Sequence, residues 1–210
     1  MSFDDVDQPQ PAATEVLIKI EAAGINYIDT YQRSGLYQIP LPTTLGLEAS
    51  GTVEGIGSDV SRFKTGDRVA YTNVLGAYAE YSALDQDKVV ALPDGVSFNE
   101  GAAAMLQGCT AHYLSQSTYP IKKGDSCLIH AAAGGVGLIL TQMAKNAGAY
   151  VIGTVSTQEK AELARAAGAD EVILYSETDF ETEVKRITEG AGVNVVYDSV
   201  GKTTFDKSIE

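Results

Sequence analysis

Residues 126–160 read SCLIHAAAGGVGLILTQMAKNAGAYVIGTVSTQEK. The apolar run Cys127-Leu128-Ile129 leads straight into Ala131-x-x-Gly134-x-x-Gly137, and a helical pattern follows. A glycine pattern set between a strand and a helix is far more specific than the glycines alone. Gly134 and Gly135 let the backbone come close to a pyrophosphate, and Gly137 lets the helix lie against the strand. The helix's first N–H groups then face the phosphates. The stretch therefore predicts a dinucleotide site.

The next strand, Tyr150 to Val155, predicts which dinucleotide. An NAD site places Asp or Glu about 20 residues beyond the glycines to hold the ribose 2′-OH, whereas a 2′-phosphate wants cations and hydroxyls. Here the tip reads Ser156-Thr157-Gln158-Glu159-Lys160. Ser156 and Lys160 suit a phosphate. Glu159 is expected to turn back to the backbone, because Ser156-x-x-Glu159 has capping-box spacing. The expected cofactor is NADPH; the alternative is that Ser156 only caps a helix and Lys160 is only solvated.

Outward from this stretch, strands and helices alternate. Leu128–Ala131, Val151–Val155, Val172–Tyr175 and Asn194–Asp198 read as strands. Val136–Ala147, Gln158–Ala167 and a helix with Phe180, Val184 and Ile187 on one face lie between them. That order implies a parallel sheet with helices on both faces. Only four strands can be counted before Glu210, so the doubly wound sheet is expected to be incomplete. From Glu15 to about Leu92 the chain instead carries short β signals among glycines, which predicts an irregular β-rich barrel. Ser97-x-x-Glu100 then caps a helix, and a second helical stretch runs from Thr110 to about Ser115. The expected domains are 1–105, β-rich, and 106–210, α/β and nucleotide-binding.

Composition narrows the function. The 210 residues are 44% hydrophobic and 20% charged, with a formal net charge of −13. An acidic surface argues against nucleic acid as partner, since phosphate binding needs clustered Lys and Arg. No apolar run is long enough for a membrane span. The start, Met1-Ser2-Phe3-Asp4-Asp5, lacks the pattern of a signal peptide, so the cytoplasm is the expected compartment. Cys109 and Cys127 have no disulfide or zinc spacing, His112 and His130 are no metal pair, and no metal is expected.

Several segments together resemble the zinc-free quinone oxidoreductases of the medium-chain dehydrogenase/reductase superfamily, relatives of zeta-crystallin. They are GINYIDTYQRSGLY (24–37), LGLEASGTVEGIG (45–57), GDRVAY (66–71), LQGCTAHYL (106–114), HAAAGGVGLI (130–139), GTVSTQEK (153–160) and VVYDSVGKTTF (195–205). The resemblance implies a GroES-like β-rich domain before an NADP-binding Rossmann domain, with an N-terminal strand and roughly the last third of the family's chain lacking. Zinc-dependent cousins place a Cys ligand near Asn26 and G-H-E at Gly46-Leu47-Glu48. With Asn and Leu at these positions, Glu48 is expected to be a structural hydrogen-bonding carboxylate.

By resemblance, Asn26, Tyr27, Tyr31 and Tyr37 line the cleft near the nicotinamide, and Asn26, Tyr31 and Tyr37 are the candidate catalytic residues. Thr110, one helical turn from Gln107 and Tyr113, approaches the same ring. Gly134, Gly135 and Val136 hold the pyrophosphate, Ser156 and Lys160 the 2′-phosphate, Tyr175 flanks the adenosine, and Val200 packs along the cofactor from the end of strand four. The implied activity is reduction of quinones by NADPH. Reduction of enones, or NADPH binding without turnover, are the alternatives. A homodimer is left open.

Overall fold

The computed structural model describes residues 2–210, and they fall into two compact units that divide between Leu106 and Gln107. In the first, strands β1 (Glu15–Ala23), β2 (Glu48–Ile56), β3 (Arg68–Thr72), β4 (Tyr81–Asp85) and β5 (Val89–Ala91) form one antiparallel sheet in the order β4-β1-β2-β3-β5. Register shifts at Leu17/Ile18 and Ile20/Ala22 mark irregularities where β1 meets β2, and such bulges bend a strand and increase its twist. One face closes over Val16, Ile18, Val53, Val69, Tyr71 and Leu84. Helix α1 (Tyr27–Ser34) follows β1, and helix α2 (Phe98–Ala103) closes the unit. The capping box expected at the start of α2 is present: Ser97 Oγ accepts from the Glu100 N–H, and Glu100 Oε2 accepts from the Ser97 N–H.

A π-helical turn, Ala104–Gly108, carries the chain into the second unit, where α3 (Cys109–Tyr113) runs into another π turn, Leu114–Thr118. Strands β6 (Ser126–Ile129), β7 (Tyr150–Val155), β8 (Glu171–Leu174) and β9 (Val195–Tyr197) then build a parallel sheet ordered β8-β7-β6-β9. Its connections are α4 (Gly135–Asn146), α5 (Gln158–Ala166) and α6 (Phe180–Ile187), and a short α7 (Phe205–Ser208) follows β9. Successive residues of a strand face opposite sides. Accordingly Cys127, Ile129, Val151 and Val155 pack with Leu140, Ala144 and Ala164 on one side, while Leu128, Ile152 and Ile173 pack with Phe180 and Val184 on the other. Helices on both faces make a Rossmann-type sheet of four strands. The strand order reverses between β6 and β9, the switch point beside which such sheets bind ligands.

Candidate functional site

The expected pyrophosphate turn lies at the C-terminal end of β6. Ala131 takes a left-handed conformation, φ +51, and its carbonyl accepts from the Gly134 N–H at 2.8 Å. Gly134 then caps α4 without a side chain. That leaves the first N–H groups of the helix facing a space no protein side chain of the cap fills. Gly137 is buried where a Cβ would stand 2.4 Å from the Ala131 carbonyl and 2.8 Å from Ala132 backbone atoms. A Cβ on Gly135 would meet Gln107 Oε1 at 2.0 Å, so the Gln107 side chain lies against the first turn of α4.

Across the tip of β7 the turn opens onto a groove of about 220 Å³ lined by Ala131, Ala133, Gly134, Val155, Ser156, Lys160 and Tyr175. Lys160 Nζ donates to Ser156 Oγ at 3.3 Å. The cap of α5 differs from the expected one: Thr157 Oγ1, not Ser156, accepts the Lys160 N–H. The Ser156 hydroxyl is therefore directed to the Lys160 ammonium, and Glu159 is exposed and takes no part in that cap. Tyr175, expected to end the strand, lies one residue beyond β8, with its N–H donating to Val155 O. Val200 is three residues past Tyr197, the last of β9, in a turn where Asp198 Oδ1 accepts from the Val200 and Gly201 N–H groups; it does not end the strand. Thr110 and Tyr113 both lie on α3. The groove thus gathers Gly134, Ser156, Lys160 and Tyr175 around one space.

His130, just before the turn, is buried between the Thr154 and Ser208 hydroxyls at 2.9 and 3.1 Å and stacks edge-on against Phe180. Burial holds it below the ordinary histidine range, with Asp198 pulling the other way. It packs and hydrogen-bonds at the end of β6. Burial likewise pushes the Cys127 thiol up to about 12, which leaves it inert.

In the first unit, Asn26 is 6% exposed and caps α1. Its N–H donates to Asp29 Oδ2 at 2.8 Å and its Nδ2 donates to Glu48 Oε1 at 2.7 Å. Glu48, with no exposure, also accepts the Leu106 N–H, as a structural carboxylate should. Tyr78 Oη donates to Asp29 Oδ2 at 2.6 Å. Burial first, then this hydrogen bond and the charges of Asp29 and Glu48, raise the Tyr78 phenol well above its usual range. Sequence reasoning missed Asp29 and Tyr78, although Asn26-x-x-Asp29 has the spacing of a capping box. Beyond this buried network the tyrosines form a chain of rings, Tyr27 against Tyr31 at 5.4 Å and Tyr31 against Tyr37 at 5.3 Å. Tyr27 is 76% exposed. Among the described residues no three or more His, Cys, Asp or Glu side chains group to hold a metal, and no helix is long and apolar enough to cross a membrane.

Residues 12–94 match the alcohol dehydrogenase GroES-like domain family, and residues 135–210 match the zinc-binding dehydrogenase family. A quinone oxidoreductase of Pseudomonas aeruginosa is 50% identical over all of this chain and 65% of its own length. The crystal structure of the Pseudomonas syringae pv. tomato quinone oxidoreductase superposes with a TM-score of 0.96 at 48% identity, covering 99% of this chain and 65% of that one. The Escherichia coli quinone oxidoreductase, in a crystal structure complexed with NADPH, gives 0.93 at 49% identity, covering 100% and 64%. The chain spans just under two thirds of the length of these relatives. With both family matches falling on the two units, and the sheet order that a dinucleotide fold demands, the chain belongs to the medium-chain dehydrogenase/reductase superfamily, as a relative of its quinone oxidoreductases.

Proposed function

We propose that the protein binds NADPH and belongs to an enzyme that reduces quinones. The groove lined by Gly134, Ser156, Lys160 and Tyr175 carries this reading. Its residues fit the coenzyme: glycine backbone for a pyrophosphate, an ammonium beside a hydroxyl for a 2′-phosphate, and an aromatic ring at the rim for adenine. No carboxylate lines the groove to favour a bare 2′-OH. The relative crystallised with NADPH supports the same choice.

When bound, the coenzyme supplies a hydride, and a hydride plus a proton turn a quinone into a hydroquinone. The protein's part is to place a flat acceptor and keep it dry. Gln107, Thr110 and Tyr113 are assigned to the nicotinamide end, with Tyr27 beside it and Val200 along the coenzyme. Asn26 and the Tyr31 and Tyr37 hydroxyls are assigned to the acceptor oxygen, to which they donate hydrogen bonds. Glu48 Oε1 accepts from Asn26 Nδ2 and so fixes the orientation of that amide.

Fluorescence titration tests the coenzyme, and NADPH oxidation with a panel of quinones and enones tests the acceptor. NADPH binds more tightly than NADH, and Lys160→Ala weakens NADPH by about tenfold while leaving NADH almost unchanged. Equal affinities in the unmodified protein overturn the coenzyme assignment. Oxidation with enones and not quinones overturns the acceptor assignment.

A further inference from the structure

We propose that Ser176 is a positioning residue for coenzyme choice: it holds Ser156, and through it Lys160, in the arrangement that receives a 2′-phosphate. This rests on the NADPH reading of the groove. Ser176 does not line the groove, and neither glycine spacing nor strand-tip chemistry points to it.

The inference starts from how the tips of β7 and β8 are joined. The last ladder contact is the Tyr175 N–H to Val155 O at 3.1 Å. One residue further on, the two backbones part into different turns. There the Ser176 hydroxyl donates to the Ser156 carbonyl at 2.9 Å, so a side chain continues the join where the ladder stops. Ser176 can do this because its own place is fixed. The Glu177 and Thr178 N–H groups and the Thr178 hydroxyl all return to Leu174 O, closing a tight turn around it.

Ser156 is thereby held on two sides. Its carbonyl is tied to β8, and the next residue, Thr157, is committed to capping α5 through the Lys160 N–H. With the backbone pinned at both points, the Ser156 hydroxyl stays near Lys160 Nζ at 3.3 Å on the groove wall. Without the Ser176 bond, the peptide between Ser156 and Thr157 has no partner on its carbonyl side from β8 and can rotate. The hydroxyl and ammonium would then no longer converge on one point, and a fixed array loses its advantage for a doubly charged phosphate when it must first be ordered.

The test uses the full chain, titrated with NADPH and with NADH. Ser176→Ala should raise the NADPH dissociation constant about two- to tenfold, the range for one hydrogen bond, and leave that for NADH unchanged. Ser176→Thr, which keeps the hydroxyl, should restore the preference. In a Lys160→Ala background, Ser176→Ala should have no further effect on the NADPH to NADH ratio, because the two residues act through one array. A preference that survives Ser176→Ala, or an equal loss for both coenzymes, overturns the inference and leaves the NADPH reading standing. Equal affinities in the unmodified protein overturn both.

Discussion

Glu48 is a carboxyl group with no exposure, and both its oxygens accept from named donors, Asn26 Nδ2 and the Leu106 N–H. Removing it strands both donors in a dry place. Glu48→Ala should therefore cost about 3 kcal/mol in a denaturant titration, well above the small effect of truncating an exposed side chain. His130 makes a pH prediction. Its native pKa lies below the ordinary histidine value of 6.5 because it is buried, so in that window the unfolded chain binds more protons than the folded one. Stability is then full above about pH 6.5 and is lost as pH falls through that value toward the native one. Denaturant midpoints should decline from pH 7 to pH 5, and His130→Asn should flatten the decline. At this scale the sequence was legible where chemistry is written in residue type. Ser156 could be placed just past a strand tip and Lys160 close behind it from their neighbours, and Glu48 could be read as a structural hydrogen-bonding carboxylate. Tyr78 and Ser176 could not be found, since their roles come from partners 49 and 20 residues away in the chain, whereas Asp29 carried a local signal in its spacing from Asn26.

Elements were read best where two signals agree. β6, α4 and β7 combine an apolar run, a glycine turn and a helical period, and each came within two residues of its observed bounds. The helical stretch after Gly108 was drawn too short, because π turns on either side of α3 extend it without the i+4 periodicity that pattern reading uses. The α5 cap was misplaced by one residue because Ser156 and Thr157 are both good caps, and only tertiary contacts decide between them. Two element-level measurements follow. Gly137→Ala puts a methyl against the backbone of Ala131 and Ala132, in the turn after β6, which cannot step aside. It should cost about 1–3 kcal/mol and weaken NADPH and NADH alike, since α4 must tilt off the strand. Ser97→Ala removes one half of the α2 capping box and should cost about 1 kcal/mol in thermal unfolding, with coenzyme affinity unchanged.

For the whole molecule, the shift from short glycine-flanked strands to alternating strands and helices gave away two architectures. The bulges that bend β1 against β2 left no comparable trace, because bulges depend on register and not on composition. Coenzyme binding should be felt unevenly. Hydrogen exchange with saturating NADPH should show added protection from β6 through α5, and none in β4 and β5. Both cores are made from uninterrupted stretches of chain, and the first unit's final residue, Leu106, supplies one of the two N–H donors to the buried Glu48. That gives biosynthesis a checkpoint. A nascent polypeptide stalled on the ribosome before Leu106 emerges leaves one oxygen of the Glu48 carboxyl without its donor, and proteases should digest it readily. Once Leu106 is out, the amino-terminal half can settle into a resistant form while translation of the remainder is still under way.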